Sequence, residues 1–274
     1  MNTIFKGQSV NYTIQGNGFP VVFLHGFNES SNIWDLIIPE LSKHLQCICI
    51  DLPGFGKSSL PANLSISYMA DAVYRVLDEL KLVKPVILGH SMGGYVALEL
   101  IHKHPDFLSG AGLIHSTTFA DSEEKKVNRT KTIEFLEKNP LETFLKIFIQ
   151  GLFAPFNLKH KNIEFVNELV FKTAKKSVIA ATKAMMERED RTDVLRTVGF
   201  PWLFIAGKHD QLIPIENMSL QCSYCSRAMF KILSDTGHLG MIEEPDNTAK
   251  IILEFVKWVQ EINLRNQNET PTKV

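Results

Sequence analysis

A serine stands between two glycines in Gly-His-Ser-Met-Gly, residues 89–93, directly after an apolar run and before a helical pattern. Gly-x-Ser-x-Gly in this setting predicts a sharp strand-to-helix turn that lifts the serine hydroxyl clear of a sheet. The backbone of Ser91 is expected to be strained there. Side chains at positions 89 and 93 would collide with neighbouring backbone, so both must be glycine. We therefore predict that Ser91 is a nucleophile.

A serine hydroxyl is a weak nucleophile, and it needs a base that is itself oriented by an acid. Asp210 in AGKHDQLIP follows a buried strand pattern, and His238 in SDTGHLGMIEEP follows the next one. We predict Asp210 as the orienting acid and His238 as the base. His209 is a rival base, but its side chain should point away from the adjacent carboxylate. For His115 a place in the pocket and a place in the core are equally open.

Two main-chain amides are predicted to stabilise an oxyanion. Phe27 follows the strand pattern VVFLHG and Met92 follows the nucleophile, so their N–H groups can point at one place. Each such donor is worth on the order of 3 kcal/mol in the transition state. The helix that begins at Met92 also directs its N-terminal amides at this centre. We expect His25 to brace its loop by hydrogen bonding and His90 to pack within the turn.

The elements that must position these residues alternate between strand and helix. Short apolar runs that end in glycine or polar residues predict strands at PVVFLHG, CICIDLPG, KPVILGHS, GAGLIHS, FPWLFIAG and MFKIL. SVNYTIQGNG alternates like an exposed early strand, and SISYMADAVYRVLDELKL has helical spacing with Ser65 or Ser67 as its N-cap. This order predicts an α/β fold, a mainly parallel sheet with helices on both faces.

Residues 117–197 interrupt the alternation, because they contain helical patterns and no convincing buried strand. Eight of the eighteen phenylalanines lie between Phe119 and Phe171, which favours an apolar surface over the sheet edge. We predict an all-helical cap at 117–197, inserted before the last strands of a core formed by residues 1–116 and 198–265. Residues 266–274 are predicted to be a frayed polar tail.

Bulk properties exclude several functional classes. A net charge of −1 gives no reason to expect nucleic acid or an anionic membrane as partner. No apolar run is long enough to cross a bilayer and no signal peptide is evident, so a cytoplasmic location is expected.

DLPGFGKSS, residues 51–59, lacks the first glycine of a phosphate loop, because Asp51 stands there. Cys222 and Cys225 have no second pair and no nearby histidines, so they are expected to be reduced thiols on a helix and not a metal site. No cofactor is expected.

Together these motifs resemble the α/β-hydrolase family. HGF, DLPGFGKS, GHSMGG, GKHD and the late GH follow one another in the family's order and span nearly the whole chain. The resemblance implies a serine esterase or thioesterase with a helical cap, acting on a small-molecule ester or thioester. It also implies that Asp51 is structural and hydrogen-bonded to neighbouring backbone. The sequence leaves open whether the protein is a monomer or a homodimer.

Departures from other members of that family narrow the activity. Ser91 stands where haloalkane dehalogenases and epoxide hydrolases use aspartate, and residues 117–197 contain no tyrosine. Leu239 stands where carbon–carbon bond hydrolases commonly carry tryptophan. Ester or thioester hydrolysis remains as the main interpretation. A small-ligand receptor with slow hydrolysis and a carbon–carbon bond hydrolase are kept as alternatives.

The pocket is predicted between the sheet edge and the cap. Phe27 and Met92 are expected to line it, with His115 and Arg188 as weaker candidates, and Arg188 more as a brace for the cap than as a substrate ligand. The apolar cap composition predicts small to medium, mostly apolar acyl groups. A carboxylated acyl group is expected to be disfavoured, because no basic cluster is evident near the motifs.

Overall fold

Eight strands form one sheet in the computed structural model, which describes residues 1–159 and 161–268. In chain order they are β1 (Asn2–Phe5), β2 (Gln8–Gln15), β3 (Phe19–Leu24), β4 (Leu45–Ile50), β5 (Val86–His90), β6 (Gly110–Ile114), β7 (Trp202–Gly207) and β8 (Ala228–Leu233). Their spatial order is β1-β2-β4-β3-β5-β6-β7-β8. β2 pairs in antiparallel fashion with both β1 and β4. Every neighbouring pair from β4 to β8 in the spatial order is parallel. The predicted mainly parallel sheet is confirmed, and β1 was not predicted.

Helices follow most of the strands. They are α1 (Ile38–Leu41), α2 (Ile66–Glu79), α3 (Met92–Lys103), α4 (Glu123–Lys138), α5 (Leu141–Gln150), α6 (Ile163–Val170), α7 (Lys175–Met186), α8 (Thr192–Thr197), α9 (Ile215–Cys222), α10 (Gly240–Glu243) and α11 (Pro245–Asn268). The Ser65 side chain caps α2 by accepting a hydrogen bond from the amide of Tyr68, as one of the two predicted N-caps. Within the described residues, none of these helices is both long and apolar enough to cross a membrane.

The sheet is covered on both faces, which is why its central strands are buried throughout. Along β3, Val22 faces one apolar core with α2, α3 and α9, while Val21 and Phe23 face a second core with α1 and α11. This alternation follows from the two-residue period of a strand. Because β3 to β8 run in the same direction, their carboxyl ends lie at one edge of the sheet, where the loops that follow them can converge.

The segment between β6 and β7 is helical, as predicted. Over residues 117–159 and 161–197 the structure has α4 to α8 and no strand. Leu145, Ile149 and Val166 of this segment share an apolar core with the sheet, so the helices are anchored to it. The predicted tail boundary is wrong by part of a turn, because α11 continues to Asn268. The remainder of that predicted tail, 269–274, lies outside the described residues.

Candidate active site

Ser91 lies in the turn between β5 and α3, and its strained backbone conformation must be stabilised by the surrounding packing. Its φ of 48° and ψ of −115° are strained for a residue with a side chain, as the sequence predicted. A Cβ at Gly89 would lie 2.4 Å from the carbonyl oxygen of Gly93, and a Cβ at Gly93 would lie 2.4 Å from that of Leu24. Both flanking glycines are therefore required sterically.

Asp210 and His238 are brought together from the loops that follow β7 and β8. Nδ1 of His238 lies 2.8 Å from Oδ2 of Asp210. The other carboxylate oxygen, Oδ1, accepts hydrogen bonds from the amides of Leu212 at 2.8 Å and Ile213 at 3.0 Å. Burial raises the pKa of the Asp210 carboxyl, but the imidazoles of His238 and His115 lower it more, to well below its usual value. Asp210 is thus an ionised, fixed acceptor.

A second histidine, His115, approaches the same carboxylate from the end of β6. Its Nδ1 lies 3.3 Å from Oδ2 of Asp210, at an angle that does not make a regular hydrogen bond. Its Nε2 accepts a hydrogen bond from the amide of Gly240 at 3.1 Å, so the ring proton is on Nδ1. Burial lowers the pKa of His115 to about 4, against the opposing effect of Asp210. His115 is fully buried and does not line the cavity, so its predicted contact with substrate is not supported.

The same three side chains are the candidates for a metal site. Within residues 1–159 and 161–268, His115, Asp210 and His238 form the one group of potential ligands that lie within 4.8 Å of one another. Metal ligands must be unprotonated, however. Nδ1 of His238 and Nδ1 of His115 both carry protons when they face the Asp210 carboxylate, and Nε2 of His115 is occupied by Gly240. The hydrogen-bond pattern is therefore that of an acid–base pair.

The loop after β3 is held by His25, as predicted. Its Nδ1 donates to the carbonyl oxygen of Gly26 at 2.8 Å, and its Nε2 accepts from the amide of Leu52 at 2.9 Å. Within the described chain, no hydrogen bond from the amide of Phe27 or Met92 is found, so both remain available as donors. The Phe27 ring lines the cavity. The Met92 side chain is buried in the core, so only its amide can serve the site.

A buried ion pair lies behind the nucleophile. Nδ1 of His90 is 3.0 Å from Oε2 of Glu29, and Nε2 of His90 donates to the carbonyl oxygen of His238 at 2.8 Å. Glu29 Oε2 also accepts from the amide of Gly26 at 2.7 Å. Burial raises the pKa of Glu29 and lowers that of His90, but their attraction reverses both shifts, so Glu29 has a lowered and His90 a raised pKa. His90 is thus more than the packing residue that was predicted.

The cavity at Ser91 has a volume of about 290 Å³. Its lining includes Ser91, His238, Phe27, Phe144, Phe148, Leu152, Met185, Leu212 and Ile213, together with Lys125, Asn128, Arg129 and Thr132 from α4. One wall is aromatic and aliphatic, as the cap composition predicted. The wall formed by α4 is polar and cationic, so the prediction of an apolar site without nearby basic residues is wrong there.

Arg188 acts as a brace in the structure. Its guanidinium donates to Asp121 at 2.8 Å and to the carbonyl oxygens of Met185 at 2.7 Å and Phe119 at 2.9 Å. It also lies 3.9 Å from the centre of the Tyr95 ring, within range of a cation–π contact. Arg188 does not line the cavity that contains Ser91, so the predicted contact with substrate is not supported.

Asp51 hydrogen-bonds the DLPGFGKSS loop to itself and to two neighbouring segments of the chain. Asp51 accepts hydrogen bonds from the amides of Ser31 at 2.7 Å and Lys57 at 2.9 Å, and from the side chain of Asn11 at 2.8 Å. A Cβ at Gly56 would lie 2.3 Å from the Asp51 carboxyl carbon, so glycine is needed there. The predicted structural role of Asp51 is confirmed.

Three charged residues that line the cavity, Glu29, Lys125 and Arg129, were missed by sequence reasoning. Glu29 stands three residues after Gly26 in HGFNE, and a carboxylate so close to a buried loop was a usable signal. Lys125 gave no such signal, because it is one of two consecutive lysines in a strongly polar helix.

Comparison with known proteins gives a consistent result. A family model described as alpha/beta hydrolase fold matches residues 20–245. Lipase 1 of Psychrobacter immobilis is 28% identical, with 90% of this chain and 80% of the relative covered. The pimeloyl-[acyl-carrier protein] methyl ester esterase of Aeromonas hydrophila is 27% identical, covering 90% and 99%. The malate-bound structure of a thermophilic esterase from Thermogutta terrifontis is 29% identical, with a TM-score of 0.88 and 94% and 97% coverage.

Proposed function

The chain belongs to the α/β-hydrolase family, and from that premise we propose that it is a serine hydrolase of carboxylic esters or thioesters with small to medium acyl groups. The observation that carries this proposal is the 2.8 Å contact between His238 Nδ1 and Asp210 Oδ2, with His238 and Ser91 lining one cavity. The similarity to a lipase and to esterases supports the same class of bond.

The proposed reaction begins with attack by Ser91. Asp210 holds the proton of His238 on Nδ1, which leaves Nε2 of His238 unprotonated and able to accept the Ser91 hydroxyl proton. Oγ of Ser91 then forms a bond to the carbonyl carbon of the substrate, and the carbonyl oxygen becomes an oxyanion. Hydrogen bonds from the amides of Phe27 and Met92 stabilise that oxyanion.

Collapse of this intermediate breaks the bond to the alcohol or thiol. The leaving group takes the proton from His238 Nε2, and the acyl group remains on Ser91 as an ester. Water then attacks the acyl-enzyme while His238 accepts its proton, and the second intermediate releases the carboxylic acid. As the bond between Ser91 Oγ and the acyl carbon breaks, Oγ takes from His238 the proton that came from water, so Ser91 and His238 return to their starting states and the scheme uses no cofactor.

Helices α4 to α8 fit the role of a cap. They supply Lys125, Arg129, Phe144, Phe148 and Met185 to the cavity, whereas the loops of the sheet supply the reacting side chains. We assign the cap to residues 117–197 and the hydrolase core to residues 1–116 and 198–265. A substrate bound between them would be shielded from water on several sides.

Steady-state turnover on matched oxygen esters and thioesters of increasing acyl length tests this function. We expect many turnovers per protein molecule and complete loss of turnover in Ser91→Ala. A single slow turnover followed by retained product would support the receptor alternative. Cleavage of a vinylogous diketone without cleavage of any ester would support the carbon–carbon bond alternative.

A further inference from the structure

The wall of the cavity that α4 provides is polar along its whole length. Lys125, Asn128, Arg129 and Thr132 line the cavity at intervals of three, one and three residues, which places them on one face of the helix. The aromatic side chains of Phe27, Phe144 and Phe148 line the same cavity. A molecule bound in this cavity would therefore contact both apolar and hydrogen-bonding side chains.

Packing of α4 does not account for this polar face. The buried residues of α4 are Ile133 and Leu136, near its C-terminal end, and neither lines the cavity. Lys125 is the third residue of the helix, where a cation is disfavoured by the helix dipole. A lysine at this place therefore costs helix stability instead of adding to it.

The charges along this wall are unequally satisfied. Arg129 forms an ion pair with Asp121, which Arg188 also contacts at 2.8 Å. In the part of the chain that the structure describes, no ion pair or hydrogen bond of the Lys125 ammonium is found. Of the charged groups that line the cavity, Glu29 is paired with His90 and Arg129 with Asp121, which leaves the Lys125 ammonium without a carboxylate partner among the described residues.

The surroundings of Lys125 favour an anion. Lys125 is an exposed residue on the cavity wall. Partial desolvation lowers the pKa of its ammonium and the guanidinium groups of Arg188 and Arg129 lower it further, whereas Asp121 and Asp210 raise it. Lys125 lines the same cavity as Ser91 and His238, so a molecule bound at the reacting side chains is within reach of its ammonium. An anionic substrate group would supply the partner that the protein does not.

We propose that Lys125 binds a carboxylate of the substrate, so that the preferred substrate is an ester or thioester with a second, ionised acid group remote from the scissile bond. The aromatic side chains hold the intervening carbon chain, and Asn128 and Thr132 offer further hydrogen bonds. This inference rests on the proposed hydrolase function, and it replaces the sequence-based expectation that a carboxylated group is disfavoured.

The test compares two substrates of nearly equal shape, the monomethyl ester of a linear dicarboxylic acid and the same ester with a terminal amide in place of the carboxylate. Because a hydrogen bond to a charged group is stronger than one to a neutral group, the kcat/KM of the wild-type protein should favour the acid by about tenfold or more. Added salt should reduce this preference. Varying the chain length locates the optimum.

Three variants assign the preference to one side chain. Lys125→Met should abolish the preference for the acid, and Lys125→Arg should retain most of it. Lys126→Met is the matched control, because Lys126 forms an ion pair with Glu123 and does not line the cavity. It should leave both rates unchanged.

Two outcomes would overturn the inference: equal wild-type rates on the acid and the amide, or an undiminished preference in Lys125→Met. Failure of the proposed function looks different, because the wild-type protein would then hydrolyse neither ester. The amide-ester rate therefore tests hydrolysis independently of the carboxylate.

Discussion

Nδ1 of His115 lies 3.3 Å from Oδ2 of Asp210, the same oxygen that faces Nδ1 of His238 at 2.8 Å. One carboxylate oxygen therefore meets two imidazoles, of which His115 is fully buried. The amide of Gly240 holds His115 in its neutral form. Asp210 is thereby oriented from two sides, while the cavity exposes only His238.

The first prediction is that His115→Gln reduces the loss of folding stability in acid. The unfolded chain binds a proton at this histidine below about pH 6.5, whereas the folded chain does so only near pH 4, so stability falls as the pH drops between them. Glutamine removes that proton uptake, worth on the order of 3 kcal/mol near the lower limit. Urea unfolding across this range measures the effect.

His209→Gln is the control, because the His209 ring packs against Phe156, whereas the imidazoles that face the Asp210 carboxylate are those of His115 and His238. It should show the acid sensitivity of the wild-type protein. Identical acid sensitivity in His115→Gln and the wild type would refute the assignment of a buried neutral His115.

The second prediction is that an organophosphonate or sulfonyl fluoride probe labels Ser91 alone and abolishes hydrolysis. The strained turn presents this hydroxyl at the cavity, and Ser91→Ala should remain folded because the hydroxyl serves chemistry. Peptide mapping by mass spectrometry locates the adduct. An adduct on any other residue would falsify the assignment of the nucleophile.

The third prediction concerns the base and its orienting acid. His238→Ala should lower kcat by about 10⁶-fold, as much as loss of the nucleophile, because base and nucleophile act as a unit. Asp210→Asn should cost less, about 10⁴-fold, since the base is misoriented and not removed. Single-turnover kinetics measures both. If His209→Ala were as damaging as His238→Ala at unchanged stability, the base would be misassigned.

The fourth prediction is that Glu29 and His90 stabilise the fold as a pair. Glu29→Gln and His90→Gln each leave one buried charge without its partner, which costs about 3–5 kcal/mol. The double variant should cost less than the sum, because neither charge remains. Urea unfolding of all four proteins gives the coupling energy, and additive costs would contradict the ion pair.

The pH range for that measurement follows from the two pKa shifts. The Glu29 contribution is complete above its unfolded pKa of 4.5 and is lost as the pH falls through its lowered folded value. The His90 contribution is complete below its unfolded pKa of 6.5 and is lost as the pH rises through its raised folded value. The coupling energy should therefore be largest between these two pKa values.

Local sequence determined the nucleophile turn and the central strands. A serine between glycines after a buried run has few conformations available, so Ser91 and the start of α3 were readable from residues 89–93. Apolar runs likewise predicted β3 to β8. For β3 to β7 the reason is that parallel strands covered on both faces need continuous apolar residues, whereas β8 is an edge strand in which only Leu233 is buried. β1 was missed, since Asn2–Phe5 is short and lies at an edge with two exposed residues.

Only the tertiary structure decided which polar groups meet. Glu29 and His90 are separated by 61 residues, and His115 and Asp210 by 95, so no local pattern links either pair. Their charge states depend on burial and on the partner, and sequence specifies neither directly. For Lys125 the decisive fact is which face of α4 covers the cavity, because a polar helix gives no periodic signal for its orientation.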